Sequence, residues 1–209
     1  MSIKKIKQIA YCLIFLAWNF TVVNAQNPLV EDWEVRINTR QPIQKVIETI
    51  GLKPGMTIGE VGAGTGRITV WFAAKVGPNG VVYANDIDKP SLDHLEKRCK
   101  NEGFSNVKII FGTVEDTKLP QKALDIAFMT NTYHHLDKPV ELVHNLLGTL
   151  KENGILAIVE RDAVRTGNYN EGTKREDFIK QMKQAGFEVF LVDTTMIQDN
   201  IYLSKPIKH

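Results

Sequence analysis

A chain of 209 residues, 43% hydrophobic and 24% charged, holds enough apolar side chain for one well-packed domain. Its 26 basic and 24 acidic residues nearly cancel to a formal +2, which argues against a nucleic-acid-binding field. Two cysteines far apart, and histidines without ligand spacing, exclude a disulfide scaffold and a readable metal cluster.

The first 25 residues differ from the rest. Lys4, Lys5 and Lys7 precede an apolar stretch from Ile9 to Val23 that ends Val23-Asn24-Ala25. A basic start, a short apolar core and small or aliphatic residues before the end read as a secretory signal peptide, with cleavage expected after Ala25. An uncleaved membrane anchor is the alternative, so the protein is expected to be exported (periplasmic or secreted) or held at a membrane through this segment. Cleavage removes three lysines and no acids, leaving 23 basic against 24 acidic residues, so the precursor's basic character belongs to export. Residues 26–209 then form one domain, with Cys99 as its lone cysteine.

A polar leader follows, carrying Trp33, Arg36 and Arg40. Ile43, Val46, Ile47 and Ile50 then recur with a helical period over Gln41–Ile50, closed by Gly51 and Pro54. Met56–Val61 reads as a first strand, and the helix after Gly66 turns Ile68, Trp71, Phe72 and Val76 inward before Gly77-Pro78-Asn79-Gly80 breaks it. Val81–Ala84 is a second strand. Asp88 is placed to cap a helix whose Leu92, Leu95 and Cys99 share a face and which Gly103 ends. Val107–Phe111 and Leu124–Met129 are the third and fourth strands. A helix opening at Asp137–Pro139 is expected to bury Val140, Val143, Leu147 and Leu150 until Asn153-Gly154 stops it, and Ile155–Val159 is the fifth strand. Thr173 and Glu176 suggest a capping box ahead of a helix with Phe178, Ile179, Met182 and Ala185 on its covered face. Phe187–Val192 and Asn200–Leu203 close the chain as an antiparallel pair. Strands alternating with helices imply an α/β fold with a mostly parallel sheet, covered by helices on both faces.

Between the first strand and its helix lies Glu60-Val61-Gly62-Ala63-Gly64-Thr65-Gly66, and Asp86 stands twenty residues after Gly66. Glycines let the backbone approach a ligand closely, the helix start offers free N–H groups, and an acid at the neighbouring strand tip suits a pair of ribose hydroxyls. A dinucleotide fingerprint would place its third glycine at position 67, where this chain has Arg67.

The G-x-G-x-G run, with Glu60 before it and Asp86 after it, resembles motif I and the second acidic site of class I S-adenosylmethionine-dependent methyltransferases. From about residue 40 to the end, the order of elements resembles that family's Rossmann-like seven-stranded sheet. The resemblance implies S-adenosyl-L-methionine as cofactor, with Gly62, Gly64 and Gly66 facing its methionine end, Glu60 orienting its amino group and Asp86 holding its ribose. Ile87 would lie against the adenine. After the third strand the family often has an Asp and a small residue; here Thr113-Val114 stand there, so Thr113, Glu115, Asp116 or a backbone carbonyl is left to meet the adenine amino group.

After the fourth strand comes Thr130-Asn131-Thr132-Tyr133-His134-His135-Leu136-Asp137, without the Asn/Asp-Pro-Pro-Tyr/Phe motif of enzymes that methylate planar nitrogens. The His-His pattern resembles the small-molecule branch typified by ubiquinone/menaquinone C-methyltransferases. It implies a small-molecule acceptor, methylated on oxygen or carbon, with Asn131 near the cofactor and His134 as the base that takes the acceptor's proton. Trp33 is expected to pack or to line the acceptor pocket, and Arg161 and Arg165 to be solvated or to meet an anionic acceptor. Two rival readings stand beside this one: a cofactor-binding protein without catalysis, and a nicotinamide-dependent oxidoreductase.

Overall fold

Seven strands form one sheet in the computed structural model, which describes residues 28–208: β1 Thr57–Val61, β2 Val81–Asp86, β3 Val107–Phe111, β4 Leu124–Thr130, β5 Leu150–Arg161, β6 Phe187–Asp193 and β7 Asp199–Pro206. Their spatial order is β3-β2-β1-β4-β5-β7-β6. The pairs β3–β2, β2–β1, β1–β4 and β4–β5 are parallel, while β7 runs antiparallel to β5 on one side and to β6 on the other. The expected α/β sheet with an antiparallel closing strand is therefore the architecture observed. The signal peptide expected over residues 1–25 lies outside the described residues.

The helices that cover the sheet are α1 Asp32–Arg40, α2 Ile43–Thr49, α3 Thr69–Val76, α4 Lys89–Asn101, α5 Pro139–Leu146, α6 Ala163–Thr166 and α7 Arg175–Gln184. Ile58, Phe128, Val159 and Ile201 face one side, where Val46, Ile47, Ile68 and Phe72 meet them. Val61, Met129, Ile158 and Tyr202 face the other, under Val143, Leu146, Phe178 and Met182. Strands buried on both faces carry apolar runs rather than alternation, as Ile126–Met129 of β4 and Ile155–Val159 of β5 do. Asp88 caps α4 by accepting from the Ser91 N–H at 3.1 Å, as its position in the chain suggests.

Four local expectations are corrected. The leader contains α1, whose buried side is polar: Glu34 is fully buried against Arg98, Nη1 to Oε1 at 2.6 Å, so no apolar period announces the helix. The helix after β4 ends at Leu146, and Leu150–Gly154 belong to β5, because Leu150 pairs with Leu124 across a register shift before Ile126. Thr173 does not cap α7; Lys174 is its N-cap residue and makes no side-chain cap. Ile179 is exposed, and Phe178 and Met182 carry the buried face of α7.

Candidate active site

Ligands in open α/β sheets sit over the carboxyl ends of the strands, where strand order reverses on either side of β1. The β1–α3 loop turns there through three glycines with φ of 77°, 54° and 94° at Gly62, Gly64 and Gly66, a region that other residues enter at a cost. The N–H groups of Gly62 and Ala63 both donate to the Asn85 carbonyl at 2.9 Å, tying the loop to the tip of β2. The Asp86 carboxylate is the organising group. Oδ2 accepts from the Gly64 N–H at 2.7 Å, and Oδ1 accepts from the N–H groups of Ile87 at 2.7 Å and Asp88 at 2.9 Å.

A cavity of about 340 Å³ opens beside this junction. Gly62, Asp86, Ile87, Thr113, Val114 and Asn131 all line it, so six of the ten residues singled out from the sequence meet on one surface. Gly64 and Gly66 flank it in the loop. A Cβ built on Gly64 has open space around it, while one on Gly66 would strike Leu95 Cδ1 at 2.3 Å, which marks Gly66 as the packing glycine of the loop. Thr113 is exposed in a turn, its N–H bonded to the Asp116 carbonyl at 2.8 Å and its Oγ1 accepting from the Asp116 N–H at 3.1 Å.

Glu60 lies under the loop, 1% exposed, with Thr69 Oγ1 donating to Oε2 at 2.6 Å. Burial pushes its carboxyl up to about 7, against the opposing pull of the Thr69 hydroxyl and the Arg67 charge. The fold favours the protonated form. Between the ordinary 4.5 and about 7 the folded chain therefore holds a proton that the unfolded chain has released, and stability falls as pH rises through that window. Above it the cost levels at about 3 kcal/mol. Urea unfolding of the wild type and Glu60→Gln at pH 5 and pH 8 is expected to show the variant gaining about 3 kcal/mol relative to wild type between the two; an unchanged gap refutes the assignment.

His134 and His135 occupy a single turn of 3-10 helix after β4, Tyr133–His135. His135 lines the cavity; His134 does not. The His134 Nδ1 sits 3.1 Å from both oxygens of Glu160 at the tip of β5, and the two imidazoles lie with centroids 4.2 Å apart.

Three site residues carried no signal of their own. Gln41, fully buried between α1 and α2, donates through Nε2 to Asn131 Oδ1 at 2.9 Å and accepts at Oε1 from Asn131 Nδ2 at 3.2 Å and Arg67 Nη2 at 2.9 Å. Arg67, read from the sequence only as the break in a dinucleotide spacing, thus joins the glycine loop to the leader, and its Nη1 also donates to Asn38 at 3.0 Å. Asn131 is held at φ 52°, a left-handed conformation that Asn tolerates better than most residues. Asn85 spans the far side, its Nδ2 donating to the Thr117 carbonyl at 2.8 Å and the Ile110 carbonyl at 3.3 Å. Trp33 is half exposed and donates to Glu31, away from the cavity lining. Arg161 pairs with Glu171, and Arg165 is spent on Asp162 and on the carbonyls of Thr194, Met196 and Asp199.

Comparison with known proteins agrees with this geometry. Residues 59–158 match the family described as a methyltransferase domain, a span that runs from β1 through most of β5. A ubiquinone/menaquinone biosynthesis C-methyltransferase of Ectopseudomonas mendocina is 28% identical over 115 residues, covering 54% of this chain and 45% of that protein. A probable cobalt-precorrin-6B C(15)-methyltransferase (decarboxylating) of Methanosarcina mazei is 34% identical over 79 residues, covering 38% of this chain and 42% of that one. The chain spans about half the length of the curated relatives it matches. Among solved structures, a SAM-dependent methyltransferase from Aquifex aeolicus superposes with a TM-score of 0.72 at 24% identity, over 78% of this chain and 88% of that one, and shares the fold.

Proposed function

We infer that this chain, which has the class I methyltransferase fold and matches the methyltransferase domain over residues 59–158, transfers a methyl group from S-adenosyl-L-methionine to a small-molecule acceptor. The observation that carries the reading is the junction of the Gly64 N–H with the Asp86 carboxylate at 2.7 Å, on the rim of a cavity floored by Gly62 and walled by Ile87, Thr113 and Val114.

The residues present fit the cofactor. A carboxylate accepts at up to about four lone-pair sites, so Asp86 retains capacity for one ribose hydroxyl after its three backbone bonds. Ile87 and Val114, 56% and 52% exposed on that rim, offer apolar surface to a purine, and solvent-facing aliphatic side chains gain by being covered. The open space above Gly64 suits the methionine end, and buried Glu60 lies beneath the loop to meet its ammonium. When bound, the cofactor supplies a methyl group already activated on a sulfonium. The protein's own part is to hold donor and acceptor in line, to exclude water, and to take the acceptor's proton, a role we give to His134.

Gly64→Val is expected to abolish S-adenosylhomocysteine binding in calorimetry, because a branched side chain fills the open space and strains a residue at φ 54°. Binding retained by the variant would remove the methionine end from this loop. Transfer of labelled methyl from S-adenosylmethionine into an extract of the host tests the reaction itself, and its absence with the cofactor bound leaves a binding protein. We also propose that residues 1–25 direct export or anchorage; intact-mass analysis of the protein purified from its host reads the true N-terminus and any retained nucleoside together.

A further inference from the structure

α1 reverses the usual polarity of a surface helix, which buries apolar side chains and turns polar ones to water. Glu34 is fully buried against Arg98, Nη1 to Oε1 at 2.6 Å, while Trp33 and Val35 face outward, 47% and 56% exposed. Leu29 and Val30, just ahead of the helix, are exposed as well, Leu29 at 73%. Four of the thirteen large apolar side chains exposed among the described residues thus fall within Leu29–Val35. Single exposed apolar residues need no account, but a run of them on one short segment marks a contact surface. The backbone that presents them is held. The Leu29 N–H donates to Glu102 at 3.1 Å, its carbonyl accepts from Arg98, and the Glu31 N–H donates to Glu34 at 3.2 Å. Trp33 Nε1 donates to Glu31 at 2.6 Å, so the indole's polar edge is satisfied and its apolar body is what remains to be covered.

The sequence upstream points to the occupant. Lys4, Lys5 and Lys7 precede the apolar run Ile9–Val23, and only residues 24–28 separate that run from Leu29. Fully extended, the chain from Val23 to Leu29 spans at most about 20 Å. With the run seated in a bilayer, Leu29 therefore lies close to the headgroup layer. The run has 15 residues, fewer than the roughly 20 that a span takes, so apolar surface supplied by the leader would strengthen a weak anchor. Exposed cations are present on the two helices concerned, Arg36 on α1 and Lys97 and Lys100 on α4, with Asp32 and Glu96 as exposed acids among them. Tryptophan with arginine and lysine is the side-chain set that suits a membrane–water boundary.

We propose that the outer side of Leu29–Arg36 is a seat on a lipid bilayer: Leu29, Val30, Trp33 and Val35 enter the boundary between headgroups and acyl chains, and Arg36 meets lipid phosphate. The seat rests on the anchorage reading of residues 1–25 and goes beyond it by naming the surface of the folded domain that touches lipid. It also favours anchorage over cleavage. A chain cut after Ala25 would carry these four apolar side chains within ten residues of its new start, bare to water.

The test uses the full chain, purified from its host in detergent and returned to phosphatidylcholine vesicles. Intact mass is read first: a chain that begins after Ala25 overturns the anchorage reading, and the seat with it. In a chain that keeps Met1 and carries Trp18→Phe and Trp71→Phe, Trp33 is the remaining tryptophan. Bromine on the upper acyl carbons is expected to quench about half of its emission, as for a ring about 5–10 Å into the headgroup boundary, while aqueous iodide leaves it nearly unchanged. Photoactivatable phosphatidylcholine gives a second reading on the wild-type chain, and decides alone if the substituted chain does not fold. Adducts are expected on Leu29–Arg36 and not on Phe190 and Leu191 of β6, which are likewise exposed. Quenching by iodide and not by bromine, or adducts spread evenly over both segments, overturns the seat and leaves the anchor standing. Trp33 shielded from both quenchers gives the surface to protein, a second copy or the chain's own first residues, and overturns the seat as well.

Discussion

Asp86→Ala is expected to weaken S-adenosylhomocysteine binding at least about a hundredfold, the largest loss of any single side chain on the cavity wall. The carboxylate has two duties. It accepts from the backbone N–H groups of Gly64, Ile87 and Asp88, which fixes the glycine loop against the tip of β2, and it keeps about one acceptor site for the ribose at the cleft it lines. A hydrogen bond to a charged group contributes about 1.5–3 kcal/mol, so loss of the ribose contact alone approaches a hundredfold, and slackening of the loop adds to it. Asp86→Asn separates the duties: one oxygen still accepts, the charge is gone, and an intermediate affinity is expected. Calorimetry with S-adenosylhomocysteine reads both variants, and an Asp86→Ala affinity within about threefold of wild type would remove Asp86 from the site.

Gly62→Ala is expected to destabilise the fold by about 3 kcal/mol and to close the same cleft. Gly62 has φ 77°, and a Cβ placed there would lie 2.1 Å from Thr132 Oγ1 and 2.8 Å from its Cγ2. Thr132 has little room to yield, because it is branched at Cβ and its hydroxyl donates to the Thr130 carbonyl at 3.0 Å. The two residues line the cavity together, so relief of the clash moves its wall. Thr132→Ala removes both nearest atoms, and the double variant should regain more than about 1 kcal/mol over Gly62→Ala, a coupling that urea unfolding of the four-member cycle measures. Additive losses would show that the backbone conformation, not the contact, sets the cost.

The sequence carried most of the fold because its signals were local and physical. Glycines marked the β1–α3 loop, Asp86 the tip of β2, Asp88 a cap, and the missing helix between the last two strands an antiparallel pair. What escaped depended on partners distant in the chain. α1 buries Glu34 against Arg98, 64 residues away, a pairing that hydrophobic periodicity does not register. Leu150 looks like a helix end and is strand, because it pairs with Leu124 of the neighbouring β4. Thr173 looks like a cap and is spent on Glu160. The His-His pair forms one turn of 3-10 helix with its two rings 4.2 Å apart, an arrangement no local pattern announces. Only the position of Glu160 assigns which ring meets a carboxylate and which faces the cleft.

Besides the Glu34–Arg98 pair and the Arg67–Asn38 bond, the leader is tied to the loop after β4 by one amide. Gln41 and Pro42 are the whole of the joint between α1 and α2, and Gln41 alone reaches both Arg67 and Asn131. Such a joint has no slack: inserting or deleting a single residue there would swing the amide off both partners at once. Natural variation in this lineage should therefore crowd into the length and character of the chain upstream of α1, leaving the spacing from Arg40 to Ile43 constant.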